Sequence, residues 1–214
     1  MEKITLEHTL PRVFANEEIP VSDVWQTDVT FRKGEFCLVE AASGGGKSSM
    51  CAYIYGARTD YQGRILFDTQ DISAIKIDQW LALRRTSLAY LPQELSLFPE
   101  LSAWENIQLK NRLTGYASDK MVEQWMERLG IAFRRDFPVG KMSIGQQQRV
   151  AIIRCICQPF DFLLVDEPVS HLDDANNDIA AGLIAEEARR QGAGIISTSV
   201  GNSLHLNYNR RLRL

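Results

Sequence analysis

Three stretches of this chain carry residue types that could handle a polyphosphate. The first is Ser43-Gly44-Gly45-Gly46-Lys47-Ser48-Ser49. Consecutive glycines let the backbone curl closely around an anion. A helix starting behind them would add free N–H donors and the positive end of its dipole. Lys47 is spaced to reach β and γ phosphates, and the Ser48 hydroxyl to ligate Mg²⁺. The spacing G-x-x-x-x-G-K-[ST] is met except at its first glycine, which is Ala41. The second stretch, Phe162 to Pro168, is an apolar run that delivers Asp166 and Glu167 to the C-terminal edge of a sheet, where open α/β sheets bind ligands. Asp166 would hold Mg²⁺, and Glu167 would act as general base on an attacking water. The third is Met142 to Arg149. Ser143 and Gly145 there suit either an anion-binding helix N-terminus or an ordinary capped helix start.

These residues need a scaffold, and the surrounding pattern supplies one. Phe36–Val39 reads as a buried strand that runs into the glycine loop. Met50–Tyr55 then reads as a helix stopped by Gly56. Arg64–Phe67 and Ser87–Leu91 are further strands. Trp104 opens a helix. Ser118 caps another, with Met121, Val122, Trp125, Met126 and Leu129 at helical spacing and Gly130 at its end. That aromatic and methionine stripe suits packing, and a docking face is its alternative. Arg149–Cys157 reads as a helix, Phe162–Val165 as a strand, Asp178–Arg190 as a helix closed by Gly192, and Gly194–Ser197 as a strand. Leu212–Leu214 suits an edge strand. Strands alternating with helices imply a largely parallel α/β sheet, with a helical insertion from about Leu95 to Met142.

The chain has 214 residues, 45% of them hydrophobic, which suits one domain or one domain with a subdomain. A formal net charge of −3 argues against nucleic acid as the main partner. No apolar run suits a bilayer span and no signal-peptide core opens the sequence, so a soluble, cytoplasmic chain is expected, with any membrane contact made through a partner. Cys37, Cys51, Cys155 and Cys157 form no C-x-x-C pair and read as buried thiols.

Together the three stretches resemble the ATP-binding cassette (ABC) ATPase family, over nearly the whole chain and in the family's order. Ala41 to Ser48 is similar to the Walker A loop, and Leu163 to Glu167 to Walker B. Gln93 resembles the Q-loop glutamine, Ser143-Ile144-Gly145-Gln146 the signature, and Ser170-His171-Leu172-Asp173 the D-loop. The resemblance implies a P-loop NTPase core with a mostly parallel sheet and an antiparallel edge β region. Residues 1–93 and 143–214 would form that core, and residues 94–142 an inserted α-helical subdomain.

The resemblance also implies ATP and Mg²⁺ as cofactors. Ser43, Gly44, Gly45, Gly46, Lys47, Ser48 and Ser49 would hold the nucleotide; Ser48, Gln93 and Asp166 the metal; Glu167 and Gln93 the catalytic water. Two cassettes would close head to tail, a homodimer being the simplest case. Ser143, Gly145, Gln146 and Asp173 would then act on nucleotide bound across the interface. A membrane-spanning transporter subunit would dock near Gln93 and the helical insertion. A regulatory or non-transport module with little hydrolysis is the alternative.

The chain departs from the family pattern at Ala41, at Ile144 in place of the first signature glycine, and at Ser199, where the switch histidine is expected. His205 is the candidate substitute for that histidine, whereas His171 reads as a solvated or interface residue and His8 as incidental. Phe14 is the leading candidate for adenine stacking and Trp25 the second, an apolar core role being open for both.

Overall fold

The computed structural model describes residues 1–16, 21–169 and 171–214. Two sheets organise them. The larger is wholly parallel, in the order β6 (Leu88–Leu91), β7 (Phe162–Asp166), β8 (Gly194–Ser199), β3 (Phe36–Glu40) and β9 (Arg210–Arg213). The smaller is antiparallel, in the order β2 (Asp28–Arg32), β1 (Lys3–Pro11), β4 (Tyr61–Phe67) and β5 (Gln70–Asp71). The α/β class, the parallel core and the antiparallel region all agree with expectation. β1, β2, β5 and helix α2 (Ile77–Thr86) are additions to the elements picked out by pattern.

Strand burial explains the parallel core. Every residue of β7 is buried, as a strand covered on both faces requires. β1 instead alternates, with Ile4 and Leu6 inside, and a bulge between Glu7 and Leu10 bends it. At that bulge a Cβ on Gly63 would lie 2.4 Å from the His8 carbonyl oxygen, so only glycine lets β4 pass.

Three helices start earlier than the apolar pattern suggests, because their first turns are polar. α1 is Lys47–Ile54, α5 Ile144–Ile156 and α6 Asp174–Gln191, and Gly192 closes α6 in the left-handed conformation. α3 (Ala103–Asn111) and α4 (Asp119–Arg128) fill the segment between β6 and α5. Ser102 and Ser118 cap them by accepting N–H bonds from Glu105 and Met121. Ile107, Val122, Trp125 and Met126 share one apolar cluster with Ile152, Leu163 and Ile184, so the stripe on α4 is packing. All four cysteines are buried and free.

Candidate functional site

The glycine loop leaves β3 at its C-terminal end and enters α1. Gly44 and Gly46 take φ of +83° and +92°, which side chains disfavour. Gly45 is needed for space: a Cβ there would lie 2.9 Å from the Ala41 Cβ. Gly45 therefore makes room for the alanine that replaces the expected glycine. The loop wraps the Lys47 ammonium, which is only 4% exposed and donates to Ala41 O at 3.1 Å and Ala42 O at 3.0 Å. Ser43 and Ser48 are exposed at the loop, whereas the Ser49 hydroxyl accepts a bond from Arg58 at 2.9 Å.

β7 lies one strand away from β3 across β8, and its end faces the same edge. Asp166 is buried, and the Thr198 hydroxyl on β8 donates to its Oδ1 at 2.6 Å. The same hydroxyl accepts the Glu167 N–H at 3.2 Å. Glu167 takes a left-handed φ of +48°, unusual for a residue with a side chain. Its Oε1 lies 3.4 Å from Lys47 Nζ, and its Oε2 accepts from Gln93 Nε2 at 3.5 Å. Three residues distant in sequence thus meet at the sheet's C-terminal edge.

The donor set suits Mg²⁺. Asp166, Ser48 and the Gln93 amide oxygen are hard oxygen donors, and Mg²⁺ takes few protein ligands when phosphates complete its shell. Among the described residues no cluster of three or more His, Cys, Asp or Glu side chains could cage a metal by itself.

The signature-like residues form a second group. Ser143 caps α5 by accepting the Gln146 N–H at 3.3 Å, and the Gln146 side chain accepts the Ser143 N–H at 3.1 Å. This reciprocal box uses both side chains in the helix start. Ile144 is 47% exposed beside it. A Cβ on Gly145 would lie 2.9 Å from His171 O, so glycine is required where the D-loop-like segment crosses α5. Asp173 caps α6, and the hydrogen bonds from Asn176 hold its carboxyl below the usual range. Ser170 lies outside the described residues. Gln148 connects the two groups through its side-chain amide, which donates to Pro168 O.

The remaining assignments separate clearly. Trp25 is 3% exposed and donates its indole N–H to Gly45 O at 3.0 Å, so it braces the loop from the core. Phe14 is half-buried over Gly46, with a ring carbon 3.2 Å from where a Cβ would stand. Ser199 ends β8, and its carbonyl accepts the Ala41 N–H at 3.3 Å. Its hydroxyl is fully buried without a hydrogen-bond partner. His205 is tied to α6 instead, Nδ1 lying 2.6 Å from Asp178 Oδ1. His8 sits in the β1 bulge, near Gln26 O.

Sequence reasoning did not find the contacts of Thr198 and Arg149 that brace the site. Thr198 carries no local signal, because its partners lie on another strand. Arg149 bridges Gly145 O at 3.1 Å, Leu129 O at 2.9 Å and Asn176 Oδ1 at 3.1 Å. It thereby joins α4, the signature-like turn and the start of α6.

The chain is similar to known proteins in sequence and in fold. Residues 24–170 match the family described as ABC transporter. The chain is 31% identical over 193 residues to the lipoprotein-releasing system ATP-binding protein LolD of Zymomonas mobilis subsp. mobilis, covering 88% of this chain and 83% of that one. It is 29% identical over 169 residues to the cytochrome c biogenesis ATP-binding export protein CcmA of Haemophilus influenzae, covering 78% and 77%. The dimeric structure of MJ0796, a bacterial ABC transporter cassette, superposes with a TM-score of 0.77 at 23% identity, covering 92% of this chain and 87% of that one, a likeness of fold. The chain belongs to the ABC transporter family and is one of its ATP-binding cassettes.

Proposed function

We propose that this chain is the ATP-binding and ATP-hydrolysing subunit of a membrane transporter, working as a pair of cassettes. The observation that carries the reading is the meeting of Lys47, Glu167 and Gln93 within 3.5 Å at the sheet edge. The Lys47 ammonium now spans two loop carbonyls and the Glu167 carboxylate. Phosphate oxygens of ATP would replace those partners, with Ser43, Gly44, Gly45 and Gly46 closing round the phosphates and Ser48 and Ser49 following at the start of α1. Release from Lys47 leaves the Glu167 carboxylate to accept the proton of the attacking water, held on its other side by Gln93. Mg²⁺, held by Ser48, Asp166 and Gln93, would neutralise charge on the phosphates. Phe14 is the better placed of the two aromatics for stacking on adenine, since the core uses Trp25.

The exposed turn at Ile144 and Gly145, with Ser143, Gln146 and Asp173 beside it, meets the nucleotide of a second cassette, most simply another copy of this chain. The dimeric solved neighbours support such a pairing. The names of the relatives support a membrane-spanning partner. Among the described residues no helix is long and apolar enough to cross a membrane, so the membrane-spanning part is assigned to that partner. The chain then sits at the cytoplasmic face, with residues 94–142 as its helical subdomain and without direct nucleic-acid contact.

Lys47→Ala should weaken Mg²⁺–ATP binding about tenfold or more by calorimetry, since it removes a charged contact. Glu167→Gln should keep binding and accumulate an ATP-bound dimer on size exclusion. Unchanged affinity in the first variant would refute the phosphate site. A monomer at every concentration in the second would refute self-pairing. The buried Ser199 hydroxyl and the exposed Ile144 favour slow turnover, and a regulatory cassette is the second reading. Wild-type phosphate release no faster than that of Glu167→Gln would select it.

A further inference from the structure

We infer that Arg58, held by Asp60, positions the Ser49 hydroxyl so that its proton is given to the α-phosphate of the nucleotide. The inference rests on the phosphate site proposed above and adds to it a residue from outside the glycine loop.

Arg58 stands in the turn between α1 and β4. Its Nε and Nη2 donate to the two Asp60 carboxylate oxygens at 2.9 and 2.5 Å, and its Nη1 donates to Ser49 Oγ at 2.9 Å. The guanidinium lies 5.4 Å from the centre of the Tyr53 ring. Tyr53 is buried and donates its hydroxyl to Asp60 O at 3.1 Å. The two-point carboxylate contact and the ring together fix the plane of the guanidinium. An arginine can only donate. Ser49 Oγ therefore accepts, and its own proton is left for another group. A helical serine commonly turns that proton to the carbonyl four residues back, but Gly45 O already receives the Trp25 indole N–H. The Tyr53 oxygen beside Ser49 is a neutral acceptor. A phosphate oxygen is anionic and forms the stronger bond.

The place of Ser49 selects the phosphate. In the reading above adenine stacks on Phe14, which lies over Gly46, and Lys47 serves the β and γ phosphates. Ribose and α-phosphate must lie between them. Ser49 comes three residues after Gly46, on the same side of α1. The Arg12 N–H donates to Asp60 O at 2.9 Å, so the turn that carries Phe14 is tied to the turn that carries Arg58. Asp60 balances the charge of Arg58. The two side chains are 46% and 48% exposed, where an ion pair adds little stability. What the pair supplies is direction.

The test uses the full chain and calorimetry with Mg²⁺–ATP and the two α-thio diastereomers of ATP, in which sulfur, a weak acceptor, replaces one α-phosphate oxygen. Wild type should bind one diastereomer about tenfold more weakly than ATP. Ser49→Ala and Arg58→Ala should each weaken ATP binding about two- to tenfold and erase most of that discrimination. The double variant should bind ATP no more weakly than Ser49→Ala, because Arg58 acts through Ser49. Arg58→Lys keeps the charge but cannot span Asp60 and Ser49 together, and should behave as Arg58→Ala does. Thermal melts of these variants should stay close to wild type. Losses that multiply in the double variant, full discrimination in Arg58→Ala, or wild-type affinity in Arg58→Lys would overturn the inference. So would a lowered Tm with equal losses for ATP and both thio analogues, the mark of a structural role. Lys47→Ala keeps the two readings apart: unchanged ATP affinity there faults the phosphate site itself, whereas a loss there with no effect of Arg58→Ala faults only the role of Arg58.

Discussion

Replacing Thr198 by valine tests the least visible part of the site. The two side chains have nearly the same shape, so the substitution leaves no cavity. It removes a 2.6 Å hydrogen bond to the buried Asp166 carboxylate and the acceptor of the Glu167 N–H at 3.2 Å. A hydrogen bond to a charged group is worth about 1.5–3 kcal/mol. Leaving the N–H unpaired adds about 1 kcal/mol, toward the low end of its range because Glu167 is partly exposed. The sum is about 3 kcal/mol. For a chain of this size each kcal/mol moves Tm by about 2–4 °C, so thermal unfolding should fall by roughly 6–12 °C. Thr198→Ser keeps the hydroxyl and should lose far less. Without the Thr198 bond the Asp166 carboxylate is no longer held in one orientation, so the Mg²⁺ concentration giving half-maximal ATPase activity should rise in the valine variant alone. A valine variant as stable as wild type, or a serine variant equally damaged, would refute the role assigned to the hydroxyl.

Three further outcomes follow from the same geometry. Ile144→Gly should raise turnover and leave nucleotide affinity of the monomer unchanged, because in the proposed pair of cassettes the exposed side chain would face the partner's nucleotide; calorimetry and steady-state phosphate release separate the two. Ser199→Ala should leave Tm unchanged or slightly raised, since the buried hydroxyl has no partner to lose. Phosphate release should also stay unchanged, because a fully buried hydroxyl does not reach the phosphates, and a fall of about tenfold would place Ser199 in the catalytic set. Phe14→Ala should weaken ATP binding with little loss of stability, whereas Trp25→Phe, which removes the bond to Gly45 O, should lower Tm; the reverse pattern in calorimetry and thermal melts would exchange their roles.

What the sequence determined by itself was local. The glycine run, Lys47 and the helix behind it are adjacent residues, and the conformation of such a loop follows from glycine's freedom at φ near +90°. The apolar run into Asp166 and Glu167, and the caps at Ser118 and Ser143, are legible for the same reason: period and neighbouring side chains are enough to specify them. β1 was harder to read, because its bulge breaks the alternation that Ile4 and Leu6 begin. The tertiary structure decided everything that depends on strand order. Placing β8 between β7 and β3 puts Thr198 against Asp166 and the end of Ser199 against Ala41. Only the packed core shows Trp25 to be a brace for Gly45, leaving Phe14 at the surface of the loop. Gly145 reads as a phosphate-binding glycine from its motif, but His171 O is what excludes a side chain there. The physical reason is common to these cases. Backbone conformation is set by residues a few positions apart, whereas a buried polar atom finds its partner wherever the sheet and its crossovers bring the chain back.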